Sequence, residues 1–165
     1  MTDDDTVFRT HRPGDIGYIV HRHGVLYAAQ CGWGLPFEGW VARIMASFAA
    51  SYDPARERCW IAEDPQGSFR GCVLLCRDEG EGARIRVLLV EPEARGRGLG
   101  RRLSRMCVDF ARECGYAKVT LTTQSNLAPA RHMYEDMGFR CLRTGKAEHF
   151  EAGGDSQEET WELEL

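Results

Sequence analysis

The chain has 165 residues, 43% hydrophobic and 28% charged, with a formal charge of −4. That is room for one domain, residues 1–165, with a real core and the make-up of a soluble globular protein. No apolar run reaches the ~18–20 residues of a membrane span, and the acidic balance argues against an unaided nucleic-acid binder.

The opening Met1-Thr2-Asp3-Asp4-Asp5 lacks the basic-then-apolar order of a signal peptide. A cytoplasmic protein is expected, with residues 1–5 disordered. Val7 to Thr10 reads as a short first strand. Residues 13–29 read as a helix, although Gly17 and Gly24 weaken it. Phe37, Val41, Ile44, Met45 and Phe48 recur with a helical period, so residues 37–51 form a second helix, closed by Asp53-Pro54.

Strands over 59–63 and 71–77 are joined by the turn Asp64-Pro65-Gln66-Gly67. A strand over 83–90 ends at Glu91-Pro92, and Leu99, Leu103, Met106, Cys107 and Phe110 then mark one apolar helical stripe. A short strand over 119–123 and a helix over 128–137 follow. Gly115-Tyr116 and Gly138-Phe139 close the last two helices in the manner of a left-handed cap with an apolar contact beyond it. Residues 160–165 alternate, Trp161, Leu163 and Leu165 against Glu162 and Glu164, as a strand with one wet face does. As an exposed sheet edge it leaves monomer or homodimer open. Strands interleaved with helices give an α/β or α+β sheet protein.

The seven cysteines form no CxxC pair, and no His spacing completes a zinc set. Cys72 and Cys76 stand four residues apart on one strand, roughly 13 Å, too far for a bridge. Reduced thiols and no metal are expected; His21 and His23 also have poor spacing for ligands on a helix.

The chemistry concentrates where the strand ending Val87-Leu88-Leu89-Val90 runs through Glu91-Pro92 into Arg95-Gly96-Arg97-Gly98-Leu99-Gly100-Arg101 and opens a helix. Free N–H groups at a helix start, helped by the helix dipole, attract anions. Glycines let an anion approach the backbone, and Arg95, Arg97 and Arg101 add charge. This is the pattern of a pyrophosphate site. The Gly96-x-Gly98-x-Gly100 spacing is not the GxGxxG of a dinucleotide fold, and the Gly-Lys-Ser/Thr of a P-loop is missing. A purely structural tight turn is the other reading.

The Arg-x-x-Gly-x-Gly turn after Val-x-Pro resembles the coenzyme A loop of the GNAT superfamily of N-acetyltransferases. A second block, Asn126-Leu127-Ala128-Pro129-Ala130-Arg131-His132-Met133-Tyr134-Glu135-Asp136-Met137-Gly138-Phe139, is similar to that superfamily's other signature. Asn126 suits a helix cap, and Pro129 is tolerated in a first turn. Tyr134 shares a face with Ala130, Met133 and Met137, so it points inward with a hydroxyl needing a partner.

The resemblance implies a mostly antiparallel twisted sheet of six to seven strands with about four helices. It implies acetyl-CoA as cosubstrate, held by Leu88, Leu89, Val90, Arg95, Gly96, Arg97, Gly98, Leu99, Gly100, Arg101, Asn126 and Tyr134. The strand end at 88–90 splays in the family and frees its backbone for the pantetheine amides. A tyrosine at the position of Tyr134 serves as general acid to the departing thiolate. A narrower likeness joins the segments 14–24, 58–63 and 160–165 to the acetyltransferase half of MarR–GNAT fusion regulators; the chain is too short to include their winged-helix half.

The family's general base is often a glutamate on the strand before the turn, where this chain has Arg84 and Arg86. An arginine takes no proton at neutral pH. Its fork suits a carboxylate on the acceptor; an exposed strand edge is the alternative. Base candidates are Glu38, Glu63, His21 and His23, and Trp33 and Phe37 suit an acceptor wall. The expected activity is N-acetylation of a small-molecule primary amine by direct attack. A protein or peptide acceptor, or a non-catalytic CoA sensor, are the rivals.

Overall fold

A computed structural model of the chain describes residues 5–150, 152 and 154–165. Residues 1–4 of the expected disordered leader lie outside the described residues. The elements run β1 (Val7–Thr10), α1 (Asp15–Cys31), α2 (Leu35–Ala50), β2 (Arg58–Glu63), β3 (Phe69–Arg77), β4 (Gly82–Val90), α3 (Leu99–Glu113), β5 (Lys118–Gln124), α4 (Ala128–Asp136), β6 (Arg140–Gly145) and β7 (Glu158–Glu164). One 3-10 turn, Pro92–Ala94, links β4 to α3.

The seven strands form one sheet in the order β1-β2-β3-β4-β5-β7-β6. All pairs are antiparallel except β4 with β5, which the α3 crossover makes parallel. This is the mixed α+β architecture expected from the sequence.

The sheet is covered on both faces, so its central strands read as unbroken apolar runs. Cys72 and Leu74 of β3 pack with Ile19, Val41, Met45 and Phe48 of α1 and α2. Val73 and Leu75 point the other way, against Leu103, Cys107 and Ala111 of α3. α1 ends where Gly32 turns left-handed (φ 69°), its N–H returning 3.1 Å to the Ala28 carbonyl. That cap reverses the chain into α2, whose first turn holds Pro36.

Two sequence readings change. β6 carries no apolar period, and all six of its residues are exposed; it exists because β7 supplies a ladder partner. Residues 160–165 therefore do not form an edge: β7 lies between β5 and β6, and the edges are β1 and β6. The alternation also hid a buried carboxylate. Glu159 is 4% exposed, and its Oε2 accepts from Arg131 Nε and from Trp161 Nε1, each at 3.0 Å.

Candidate active site

The site forms where β4 leaves its neighbours. β4 pairs with β5 from Gly82↔Lys118 to Ile85↔Leu121 and no further. Arg86 to Val90 and Thr122 to Gln124 run on past the last pair, so the sheet opens as a wedge. On the other side, the β3–β4 register slips between Cys72↔Leu89 and Leu74↔Arg86. The extra residue is absorbed at Val87, which has φ 50°. A β-branched residue in that region is strained, by about 1–3 kcal/mol. The bulge carbonyl is held: the Cys72 thiol donates to the Val87 oxygen at 3.2 Å. Gly71 allows the strands to close up here, because a Cβ would lie 2.6 Å from the Leu89 carbonyl oxygen.

The wedge contains a cavity of about 210 Å³. Val87 and Leu88 of β4 and Thr122 and Thr123 of β5 form its floor, and Ala130 and Tyr134 of α4 close one side. Tyr27, Trp33, Phe37 and Trp40 form an aromatic wall. Tyr27 stacks on Trp33 at 5.1 Å and 4°, and the Trp33 indole N–H donates to the Ala152 carbonyl at 2.8 Å.

Tyr134 is 5% exposed. Its hydroxyl has no hydrogen-bond partner among the described residues, and burial pushes its pKa well above the ordinary phenol value. Burial likewise raises Tyr27 to about 12. His23 faces the same cavity, 3% exposed. Its Nδ1 lies 2.8 Å from the Ile19 carbonyl, which can only accept, so this nitrogen carries the hydrogen. Desolvation lowers its pKa to about 4.

At the wedge mouth the glycine-rich turn behaves as anion-binding backbone should. Gly96 (φ 77°) and Gly98 (φ 74°) are both left-handed, so glycine is required there by conformation. A Cβ on either would meet nothing within 4 Å, which leaves open space above the turn. No side chain caps α3, and its first turn holds no acid. Its first N–H groups are available to an anion.

The three arginines divide their work. Arg95 folds back: Nε donates to the Val90 carbonyl at 3.0 Å and an NH2 to Gln30 of α1 at 3.2 Å. Arg101 pairs with Asp136 of α4 at 2.8 Å. Arg97 is exposed, with no ion pair among the described residues. Arg22 of α1 adds two hydrogen bonds, 2.6 and 2.8 Å, to the buried Glu91 that follows β4.

Of the expected residues, Arg84, Arg86, Leu88, Trp33, Phe37, His23 and Tyr134 are brought to one cavity. Others are not. Glu63 lies at the β1 side of the sheet, where Arg9 binds its carboxylate at 2.7 Å. Glu38 fills the α1–α2 seam against Gly24, whose Cβ would stand 2.9 Å from the Glu38 Cδ. His21 is exposed on α1. Asn126 does not cap α4: the N-cap is Leu127, with no side-chain bond. Its Oδ1 instead accepts from the Ser156 hydroxyl at 3.1 Å.

The carboxylates that do line the cavity are Glu148 and Glu158, with Arg143 and His149 beside them. All four come from β6, β7 and their connection. No periodicity or motif marks them in the sequence; Arg143, Glu148 and His149 come in with β6 and the segment after it, and Glu158 with the start of β7, where it pairs with Gln124. Among the described residues, no group of three His, Cys, Asp or Glu side chains could hold a metal ion, and no helix is long and apolar enough to cross a membrane.

Known proteins agree with this geometry. A sequence model of the acetyltransferase (GNAT) family matches residues 27–139. An uncharacterized N-acetyltransferase of Schizosaccharomyces pombe is 30% identical over 69% of this chain and 70% of its own. The N-acetylaspartate synthetase of Danio rerio is 30% identical over 67% of this chain, but the match spans only 39% of that protein's length. Among solved structures, a Salmonella typhimurium protein with its cofactor acetyl-CoA superimposes with a TM-score of 0.73 at 20% identity, over 98% of this chain and 95% of that one. At that identity the likeness is one of fold. With the splayed strands, the uncapped helix mouth and the family match in agreement, the chain belongs to the acetyltransferase (GNAT) family of N-acetyltransferases.

Proposed function

We propose that the protein moves an acetyl group from acetyl-CoA to the primary amine of a small molecule that also carries a carboxylate. The observation that carries this reading is the wedge between β4 and β5, opening beside the uncapped N-terminus of α3. The residues present fit the cosubstrate. Free N–H groups and positive-φ glycines suit a diphosphate, the strand backbone at Leu88, outside both ladders, suits an amide, and the unpartnered Tyr134 hydroxyl suits a sulfur. Leu89 fits less well, because it pairs with Cys72 of β3. Val90 fits less well, because Arg95 already occupies its carbonyl. Bound acetyl-CoA supplies an acetyl group activated as a thioester.

The chain's own residues do the rest. Tyr134, kept protonated by burial, donates a hydrogen bond to the sulfur as negative charge develops there. Glu148 or Glu158 takes the ammonium proton of the acceptor, in place of the glutamate that β4 lacks. Arg84 offers a guanidinium whose Nε has no hydrogen-bond partner, with Asp78 only at 3.9 Å. A carboxylate on the acceptor satisfies it in forked geometry. The Danio rerio relative, an N-acetylaspartate synthetase, supports such an acceptor.

Transfer is direct, without an acetyl-cysteine. Burial raises Cys76 to about 11 and holds Cys72 and Cys107 well above the ordinary thiol value, which leaves them poor nucleophiles. Seven free cysteines suit the reducing cytoplasm. The segments 14–24, 58–63 and 160–165 resemble the acetyltransferase half of MarR–GNAT regulators, a likeness that lends this chain no DNA-binding role. The test is acetyl-CoA turnover, followed by thiol release, on amines, amino acids and peptides. Amino acids are expected to lead. Preferred peptides would favour a protein acceptor, and binding of CoA without turnover would favour a sensor.

A further inference from the structure

Beside the first cavity lies a second, of about 490 Å³. The two share Trp40, Ile44, Arg86 and His149 in their linings, so they adjoin. Trp40 and His149 stack between them, with ring centroids 5.7 Å apart and planes 15° from parallel. Arg86 stands at this junction, one residue before the Val87 bulge.

The two chambers differ in their acids. The first holds two carboxylates, Glu148 and Glu158, beside Arg84, Arg86 and Arg143. The second holds Arg43, Arg77 and Arg86 against one acid, Glu57. That acid is already committed: its Oε1 accepts from the Asp53 N–H and its Oε2 from the Arg77 N–H, each at 3.1 Å. Arg77 is partly satisfied, by the Ser51 carbonyl at 3.0 Å and by Glu57 at 3.6 Å. Arg43 is exposed and, like Arg86, forms no ion pair among the described residues; Arg86 has only the Cys76 sulfur as a hydrogen-bond partner and Asp78 as a more distant acid. A half-buried guanidinium so weakly compensated is stabilised by an anion that reaches it.

We propose that the second cavity is a distal acceptor subsite for an anionic group. The acceptor places its amine in the first chamber, near Glu148 and Glu158, and extends past the Trp40–His149 pair along Arg86. Its far end, a carboxylate or a phosphate, then meets Arg86, Arg43 and Arg77. This deepens the acetyltransferase reading and rests on it. Where Arg84 in the first chamber takes a carboxylate close to the amine, this subsite takes an acid several bonds further on, so amino acids with a distant acid lead over the simplest ones.

The experiment compares wild type with Arg43→Glu on ω-amino acids of increasing chain length, on matching ω-aminoalkyl phosphates and on uncharged alkylamines. Arg43 is exposed and unpaired, so its reversal should spare the fold. One length of anionic acceptor is expected to exceed the uncharged amine at least tenfold in kcat/KM, and Arg43→Glu to raise its KM about tenfold. The KM for acetyl-CoA and the turnover of the uncharged amine should not move. The carboxylate and phosphate series decide which anion is taken. Turnover of amines with no preference for the acid, or an Arg43→Glu enzyme with an unchanged KM, overturns the subsite and leaves the acetyltransferase reading intact.

A binding measurement needs no turnover. Trp40 lines both chambers, so titration with glutarate should change tryptophan fluorescence saturably in wild type and not in Arg43→Glu. If no amine is acetylated, that titration still decides. A saturable response that Arg43→Glu abolishes supports the anion subsite while the catalytic reading falls. No response, or the same response in the variant, overturns the subsite.

Discussion

The buried Cys72 thiol on β3 donates to the carbonyl of Val87 on β4, and this contact pins the one non-glycine residue with positive φ among the described residues to the point where the sheet opens. Removing the donor leaves a bulge carbonyl unpaired and costs about 1–2 kcal/mol. Cys72→Ala should lower the unfolding midpoint and reduce kcat, with little change in acetyl-CoA affinity. Cys72→Ser keeps a donor and should recover most of kcat. Equal kcat for the two variants would show that the bond does not position the strand.

Tyr134→Phe removes a hydroxyl that has no partner among the described residues. Its thermal midpoint should therefore hold or rise, and its acetyl-CoA affinity should be nearly unchanged. kcat should fall by about 10²-fold, the lower range for loss of a general acid. A fall in stability would mean that the hydroxyl serves the fold.

Gly98 is left-handed at the mouth of α3 (φ 74°). Alanine there costs about 1–2 kcal/mol of backbone strain, although the space around it is open. Gly98→Ala should weaken acetyl-CoA binding about tenfold in a calorimetric titration while the acceptor KM stays near wild type.

His23 makes stability depend on pH. Its folded pKa is about 4 against 6.5 for a free imidazole, so the unfolded chain binds the proton first. The stability contributed is complete above the unfolded value, falls as pH drops through the window from 6.5 to about 4, and levels off below it. The loss is about 3 kcal/mol across that window. Urea midpoints between pH 7 and pH 4.5 should fall less steeply for His23→Gln than for wild type.

The two signature blocks were legible because their chemistry is local. Gly96 and Gly98 announce a turn, and Tyr134 follows a helical stripe on α4. The register and strain of the wedge were not legible, because nothing in Val87-Leu88-Leu89 marks a bulge until β3 fixes the pairing. Arg143 and Glu148 escaped for a different reason: they depend on β6, a strand of exposed residues with no apolar alternation, and Glu158 opens β7 two residues before the alternation at 160–165 begins. Glu38 and Glu63 looked equally available in the sequence, yet each is occupied by tertiary contacts that no spacing reveals.

The central claim is that the backbone at the mouth of α3 holds the diphosphate of coenzyme A. Calorimetric titration of the protein with CoA and with acetyl-N-acetylcysteamine, a thioester lacking the diphosphate, tests it most directly. The account predicts saturable CoA binding below about 1 mM, the upper range of enzyme affinities, with the truncated thioester far weaker. No heat from CoA at millimolar concentration, or equal binding of the two compounds, would contradict it.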